Sequence, residues 1–175
     1  MEDKRQYTRV KTNVKALFKR SIDPTVPPSF RVCTAQDVYF DFDYKELGIP
    51  EGLNLYFKHL NGKLDQILSV LGKDMVDKEF EYSTIVVELS GGGLKCLKVT
   101  DEFKVGDYVE ILLFLCHIPL MVVSSIGKII RIETEGAKQY FVIEFSNIRD
   151  RDRELIVQFV FQEQREQIRS KKLDS

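Results

Sequence analysis

Between Phe80 and Phe145 the chain repeats one pattern, a short stretch rich in β-branched and aromatic residues followed by a turn. Thr84-Ile85-Val86-Val87 lies in a run from Phe80 to Leu89 that ends at Ser90-Gly91-Gly92-Gly93. Further runs occupy 94–99, 108–115, 121–132 and 140–145, with turns at Val105-Gly106-Asp107 and Thr134-Glu135-Gly136. Upstream, Val10, Thr12, Val14, Ala16 and Phe18 alternate with Lys11, Asn13, Lys15, Leu17 and Lys19, the period of two of a half-buried strand. Several short strands at such spacing predict a mainly β fold, a small barrel.

Three segments depart from this pattern. Asp23-Pro24-Thr25-Val26-Pro27-Pro28-Ser29 breaks regular structure, because proline removes a backbone donor and restricts the residue before it. Val38, Phe40 and Phe42 then alternate as in another strand. From Pro50 the period changes: Leu53, Phe57, Leu60, Leu64, Ile67 and Leu71 are spaced as in a helix with one apolar seam, ending at Gly72. Gly62 lies off that seam. The last segment, about 150–170, is helical by content, with Asp150 and Asp152 suited to the positive end of the helix dipole. Its apolar residues, Leu155 to Phe161, cover more than one face, which implies a second buried surface.

At 175 residues with 43% hydrophobic content, the chain is long enough for one domain with a core of its own. A net charge of -1 gives no global field to attract a nucleic-acid backbone or an anionic membrane. No segment approaches the roughly 20 apolar residues of a membrane helix. The N-terminus runs straight into charge, and Cys33, Cys96 and Cys116 form no CxxC pair, so the expectation is a reduced, cytoplasmic protein. His59 and His117 have no metal-ligand spacing, and no nucleophile-and-base set emerges. The chain is not expected to be an enzyme, and no cofactor or metal is expected.

Two constellations could bind a ligand. Arg5 and Arg9 precede the first strand, and guanidinium groups offer donor forks for phosphate oxygens and flat faces for aromatic bases. The same spacing recurs at Arg149/Arg153 and Arg165/Arg169, where it lines up a solvated helix face, so it identifies nothing alone. The second is Glu88-Leu89-Ser90-Gly91-Gly92-Gly93, where a strand brings a carboxylate and a hydroxyl to a turn whose glycines allow positive φ and close approach of a ligand. No Lys-Ser or Lys-Thr follows, which excludes a phosphate-binding P-loop.

In this order the pieces resemble the PilZ domain family, whose signature is RxxxR, a strand, then [Asp/Asn]-x-Ser-x-x-Gly and a strand-rich half closed by a helix. Arg5, Arg9, Ser90 and Gly93 match, and the likeness covers 4–20 and about 78–170. Glu88 stands where the family usually has Asp or Asn, one methylene longer. Residues 21–77, with the inserted strand and seam helix, stand where the family usually has a short hairpin.

The resemblance implies a single domain over 1–175, built as a six-stranded antiparallel barrel with a helical insertion and a C-terminal helix. It implies a receptor for the second messenger cyclic di-GMP, acting in motility, pilus or biofilm control through an unknown downstream protein. Arg5, Arg9, Glu88, Ser90 and Gly93 would form the site, with Lys4 outside it. Residues 1–9 are expected to be mobile until ligand draws them over the turn, since a charged terminus has little apolar area to anchor it. The resemblance also favours a homo-oligomer through the 50–72 helix or the C-terminal helix. The alternative is an oligomeric adaptor of the same fold that no longer binds nucleotide; a nucleic-acid-binding barrel is the weaker rival.

Overall fold

The structure, a computed structural model, describes residues 7–29, 79–117 and 120–173, together with positions 50, 52, 53, 55–57, 59, 60, 62–64 and 67. The alternating run at Val38 to Phe42, the end of the seam at Leu71, and Cys33 lie outside the described residues. Six strands form: β1 (Arg9–Ser21), β2 (Tyr82–Ser90), β3 (Gly93–Leu97), β4 (Tyr108–His117), β5 (Leu120–Glu135) and β6 (Lys138–Ile148). The described positions from 52 to 67 are helical and constitute α1, and the chain ends in α2 (Asp150–Leu173).

All six strands pair antiparallel and close into a barrel of order β1-β2-β3-β6-β5-β4. Closure falls on β1, which pairs with β2 along one edge and with β4 along the other. The period of two in its sequence is the reason: Val10, Val14, Ala16 and Phe18 turn into the core while Lys11 and Lys15 turn outward. Closure gives each of the six strands a neighbour on both sides.

Phe18 is the hub of the interior. Its ring stacks on Tyr82 at 5.3 Å, with Phe103 at 5.4 Å and Phe141 at 6.4 Å. Phe103 lies in the β3–β4 connection and is 2% exposed, so this loop residue plugs the barrel. Arg20 lies over its ring at 4.6 Å while donating to the Glu102 carbonyl at 2.7 Å and to Asp107 at 3.1 Å. The next turn needs Gly106, whose φ of 101° is open to few other residues. Near the opposite end of β1, the buried Leu155, Ile156 and Val160 of α2 join the core cluster that also contains Val10 and Leu89.

The insertion leaves β1 along the barrel wall. Asn147 donates to the carbonyls of Thr25 and Val26, Arg149 donates to that of Pro28 at 2.9 Å, and the Ser29 hydroxyl bonds the buried carboxylate of Glu110. Among the described residues the seam of α1 is largely open: Leu53 is 45% exposed, Leu64 49% and Ile67 54%. The second apolar face expected of α2 is likewise open, with Phe161 52% and Ile168 50% exposed.

Phe103→Ala is expected to cost about 3–5 kcal/mol of unfolding free energy, the usual range for emptying a buried aromatic site. Urea denaturation followed by circular dichroism measures it; a cost below about 1 kcal/mol would mean that the plug does not support the barrel.

Candidate functional site

The register of β1 against β2 builds the site. Arg9, the first residue of β1, is paired with Ser90, the last of β2, and Lys11 with Glu88. A two-residue turn, Gly91-Gly92, returns the chain so that Ser90 faces Gly93 at the start of β3. Beside it runs β6, where Gly93 pairs with Glu144 and the Phe145 amide donates to the Gly92 carbonyl at 3.0 Å. These elements wall a cavity of about 220 Å³. Four residues singled out from the sequence, Arg9, Glu88, Ser90 and Gly93, line it together. Arg5 and Lys4 lie outside the described residues.

Each contributes differently. The Arg9 guanidinium and the Glu88 carboxylate have no hydrogen-bond or ion-pair partner among the described residues, so both are available to a ligand. The Ser90 hydroxyl is buried and engaged within the turn, accepting from the Gly92 amide at 3.3 Å and donating to the Gly93 carbonyl at 3.1 Å. It therefore fixes the shape of the turn. The glycines were expected to supply positive φ, yet none of Gly91, Gly92 and Gly93 has it. Space is what they provide. A Cβ on Gly93 would lie 2.3 Å from the Ile143 carbonyl oxygen, and one on Gly91 would lie 2.7 Å from Cδ1 of Tyr7.

Several lining residues went unremarked in the sequence. Tyr7 packs on the turn, and β1 is already paired at Arg9, so the terminus is anchored from Tyr7 onward rather than free through residue 9. The anchoring area is the tyrosine ring, hidden among charges in Lys-Arg-Gln-Tyr-Thr-Arg. Lys95 on β3, Arg131 and Glu133 on β5, and Glu144 on β6 complete the polar wall. Their positions in the sequence are remote, and only strand pairing gathers them.

Lys95, Arg131 and Glu133 of this wall form a charged lattice with Glu135, which lies outside the lining. Lys95 bonds Glu133 at 2.8 Å and also Glu135, with its ammonium 4.7 Å from the Tyr140 ring centre. Arg131 holds the other side of Glu133 at 2.6 Å. The Glu133 and Glu135 hydrogen bonds push the Lys95 ammonium above the ordinary lysine range. Hydrogen bonds from Lys95 and then Arg131 hold Glu133 below its ordinary 4.5. Arg149 and Arg153, expected on a solvated face, are instead half-buried: Arg149 holds the Pro28 carbonyl, and Arg153 donates to that of Gly91 at 2.6 Å. Cys96 is buried in the core, which pushes its thiol up to about 12. No group of three or more metal-ligating side chains occurs among the described residues.

A depressed carboxylate contributes stability above its ordinary value and loses it as pH falls through the folded one. Wild type should therefore be more stable than Glu133→Gln at about pH 7, and the gap should close below about 4.5. Paired urea titrations at about pH 7 and about pH 3 measure this; a gap independent of pH would show that the lattice holds no ionised Glu133.

Comparison with known proteins gives one consistent answer. The profile of the PilZ domain family matches residues 70–162, just over half of the 175. No curated protein sequence matches. Among solved structures, the Bacillus subtilis inhibitor of motility MotI/DgrA superposes with a TM-score of 0.54 at 13% identity over 93% of this chain. This chain spans only 51% of that protein. A tetrameric PilZ protein of Xanthomonas campestris, self-assembled through a helical bundle, has a TM-score of 0.57 at 16% identity, covering 93% of this chain and 89% of its own. The PilZ domain of YcgR from Escherichia coli, solved with c-di-GMP, has a TM-score of 0.51 at 12% identity, covering 97% and 98%. At these identities the structures speak for the shared barrel, and the profile speaks for descent. The chain belongs to the PilZ domain family.

Proposed function

We propose that this protein is a cyclic di-GMP receptor whose ligand sits against the β2–β3 turn and is gripped by the arginine motif at the head of β1. The observation that carries this reading is the gathering of Arg9, Glu88, Ser90 and Gly93 around one cavity, with Arg9 and Glu88 unpaired among the described residues. The chemistry matches the ligand. A guanidinium meets phosphate oxygens and stacks on a purine, and a carboxylate accepts the adjacent N–H donors of a guanine edge. Arg5 would supply the second guanidinium.

The cavity, about 220 Å³, is smaller than the roughly 300–1,000 Å³ of pockets that enclose most of a drug-sized ligand. A cyclic dinucleotide would therefore protrude from these walls. Closure of the residues ahead of Tyr7 over the exposed side would complete the site and change the surface offered to a downstream protein. The role is reception and relay in the cytoplasm rather than catalysis, with motility, pilus or biofilm control as its setting; the likeness to the inhibitor of motility MotI/DgrA supports the motility branch.

A second feature concerns assembly. The exposed seam of α1 is an apolar stripe with no described partner on its own barrel, and the similar Xanthomonas protein assembles through helices. Self-association through α1 accompanies the receptor reading here, and it is the whole function in the alternative of an adaptor without nucleotide.

Calorimetric titration with cyclic di-GMP, with cyclic di-AMP and GTP as controls, separates the two. Saturable binding of cyclic di-GMP alone is expected, and no heat at high micromolar ligand would leave the adaptor. Arg9→Ala should weaken binding by about 2–5 kcal/mol, the scale for removing one partner of a desolvated charge pair. Wild-type affinity in that variant would remove Arg9 from the site. Sedimentation should show an oligomer that Leu60→Glu or Leu64→Glu dissociates; a concentration-independent wild-type monomer would end the assembly proposal.

A further inference from the structure

Tyr7 occupies a position that the arginine motif does not explain. Its ring spans the glycine turn: Cδ1 lies 2.7 Å from where a Cβ on Gly91 would be, and Cδ2 lies 3.2 Å from that of Gly92. The guanidinium of Arg153, from the first turns of α2, lies 5.7 Å from the ring centre, within cation–π range. The same guanidinium donates to the Gly91 carbonyl at 2.6 Å, and Val157, one turn further along α2, closes on Gly91 from the helix side. One arginine thus touches both the turn and the arm. The Tyr7 hydroxyl has no hydrogen-bond partner among the described residues, so the ring itself makes these contacts.

We infer that Tyr7 and Arg153 form a latch: the ring of Tyr7, laid on the Gly91-Gly92 turn beneath Arg153, positions the head of β1 at the site and couples occupancy of that site to α2. Tyr7 is two residues from Arg9 and shares its short arm, so release of the ring frees the backbone that aims the guanidinium. A ligand drawing on Arg9 pulls on the same arm and, through the ring, on Arg153 and the first turns of α2. In that helix, the exposed Phe161 lies eight residues beyond Arg153. The glycines have a role here too, because a methyl group at Gly91 would displace both the ring and Val157.

The coupling to ligand rests on the cyclic di-GMP reading, whereas the latch itself does not, and the test separates them. In the 175-residue chain without ligand, amide hydrogen exchange is compared among wild type, Tyr7→Phe, Tyr7→Ala and Arg153→Ala, with circular dichroism confirming that each variant is folded. Tyr7→Ala and Arg153→Ala should each speed exchange severalfold at residues 88–93 and 150–157, and the double variant should be no faster than either single one. Tyr7→Phe should match wild type. Unchanged exchange in Tyr7→Ala, additive effects in the double variant, or a Tyr7→Phe that behaves as Tyr7→Ala would each overturn the latch. With cyclic di-GMP added, wild type and Tyr7→Phe should gain protection in 150–157. Tyr7→Ala should lose that gain and bind about tenfold more weakly, in keeping with one lost cation–π and packing contact. Wild-type affinity in Tyr7→Ala would deny the ring its positioning role. A wild type that does not bind the nucleotide would remove the receptor reading and leave the ligand-free comparison to decide the latch.

Discussion

The structure depends on the alignment of one strand. β1 must satisfy two neighbours at once, and its alternation allows one solution in which Val10, Val14, Ala16 and Phe18 all face inward. Slipping by one residue would turn every one of these into solvent and every lysine into the core. Phe18 fixes the choice, because Tyr82, Phe103 and Phe141 surround a ring at that position. With Phe18 opposite Tyr82, the one-residue shift of register between Lys11 and Val14 brings Arg9 beside Ser90. Core packing at one end of the strand and that irregularity together set where its head lies at the other.

The barrel was legible because its strands announce themselves locally, through alternation and through turns at Gly106 and Gly136. The site was legible only in part. Arg9, Glu88, Ser90 and Gly93 sit at strand ends that meet, and a known motif order pointed to them. Lys95, Arg131, Glu133 and Glu144 were hidden because no local pattern reports which residues of β3, β5 and β6 face one cavity. That depends on register, including the irregularities of β5 at Gly127 and Arg131. Tyr7 was obscured by its charged neighbours. Arg153 belonged to a spacing that recurs on the same helix in solvent, and only its contact with the turn distinguishes it.

The glycines show one residue type answering to two different constraints. Left-handed backbone is needed at Gly106 and Gly136, where turns reverse the chain with nothing close by. At the site, the turn residues have ordinary backbone and are small because a ring or a carbonyl lies against them. Sequence records that glycine is present; neighbours decide whether it serves the torsion or the space.

The floor of the cavity and the seam of the barrel are, at Gly93, the same atoms: the Ile143 carbonyl that crowds its Cα belongs to the ladder joining β3 to β6. A side chain at that floor would disturb closure of the fold. Glu88 and Glu144 carry no such burden, since their side chains line the cavity while their backbones hold the strands. In a barrel of this design the chemistry of the walls is free to vary while the floor is held by the fold.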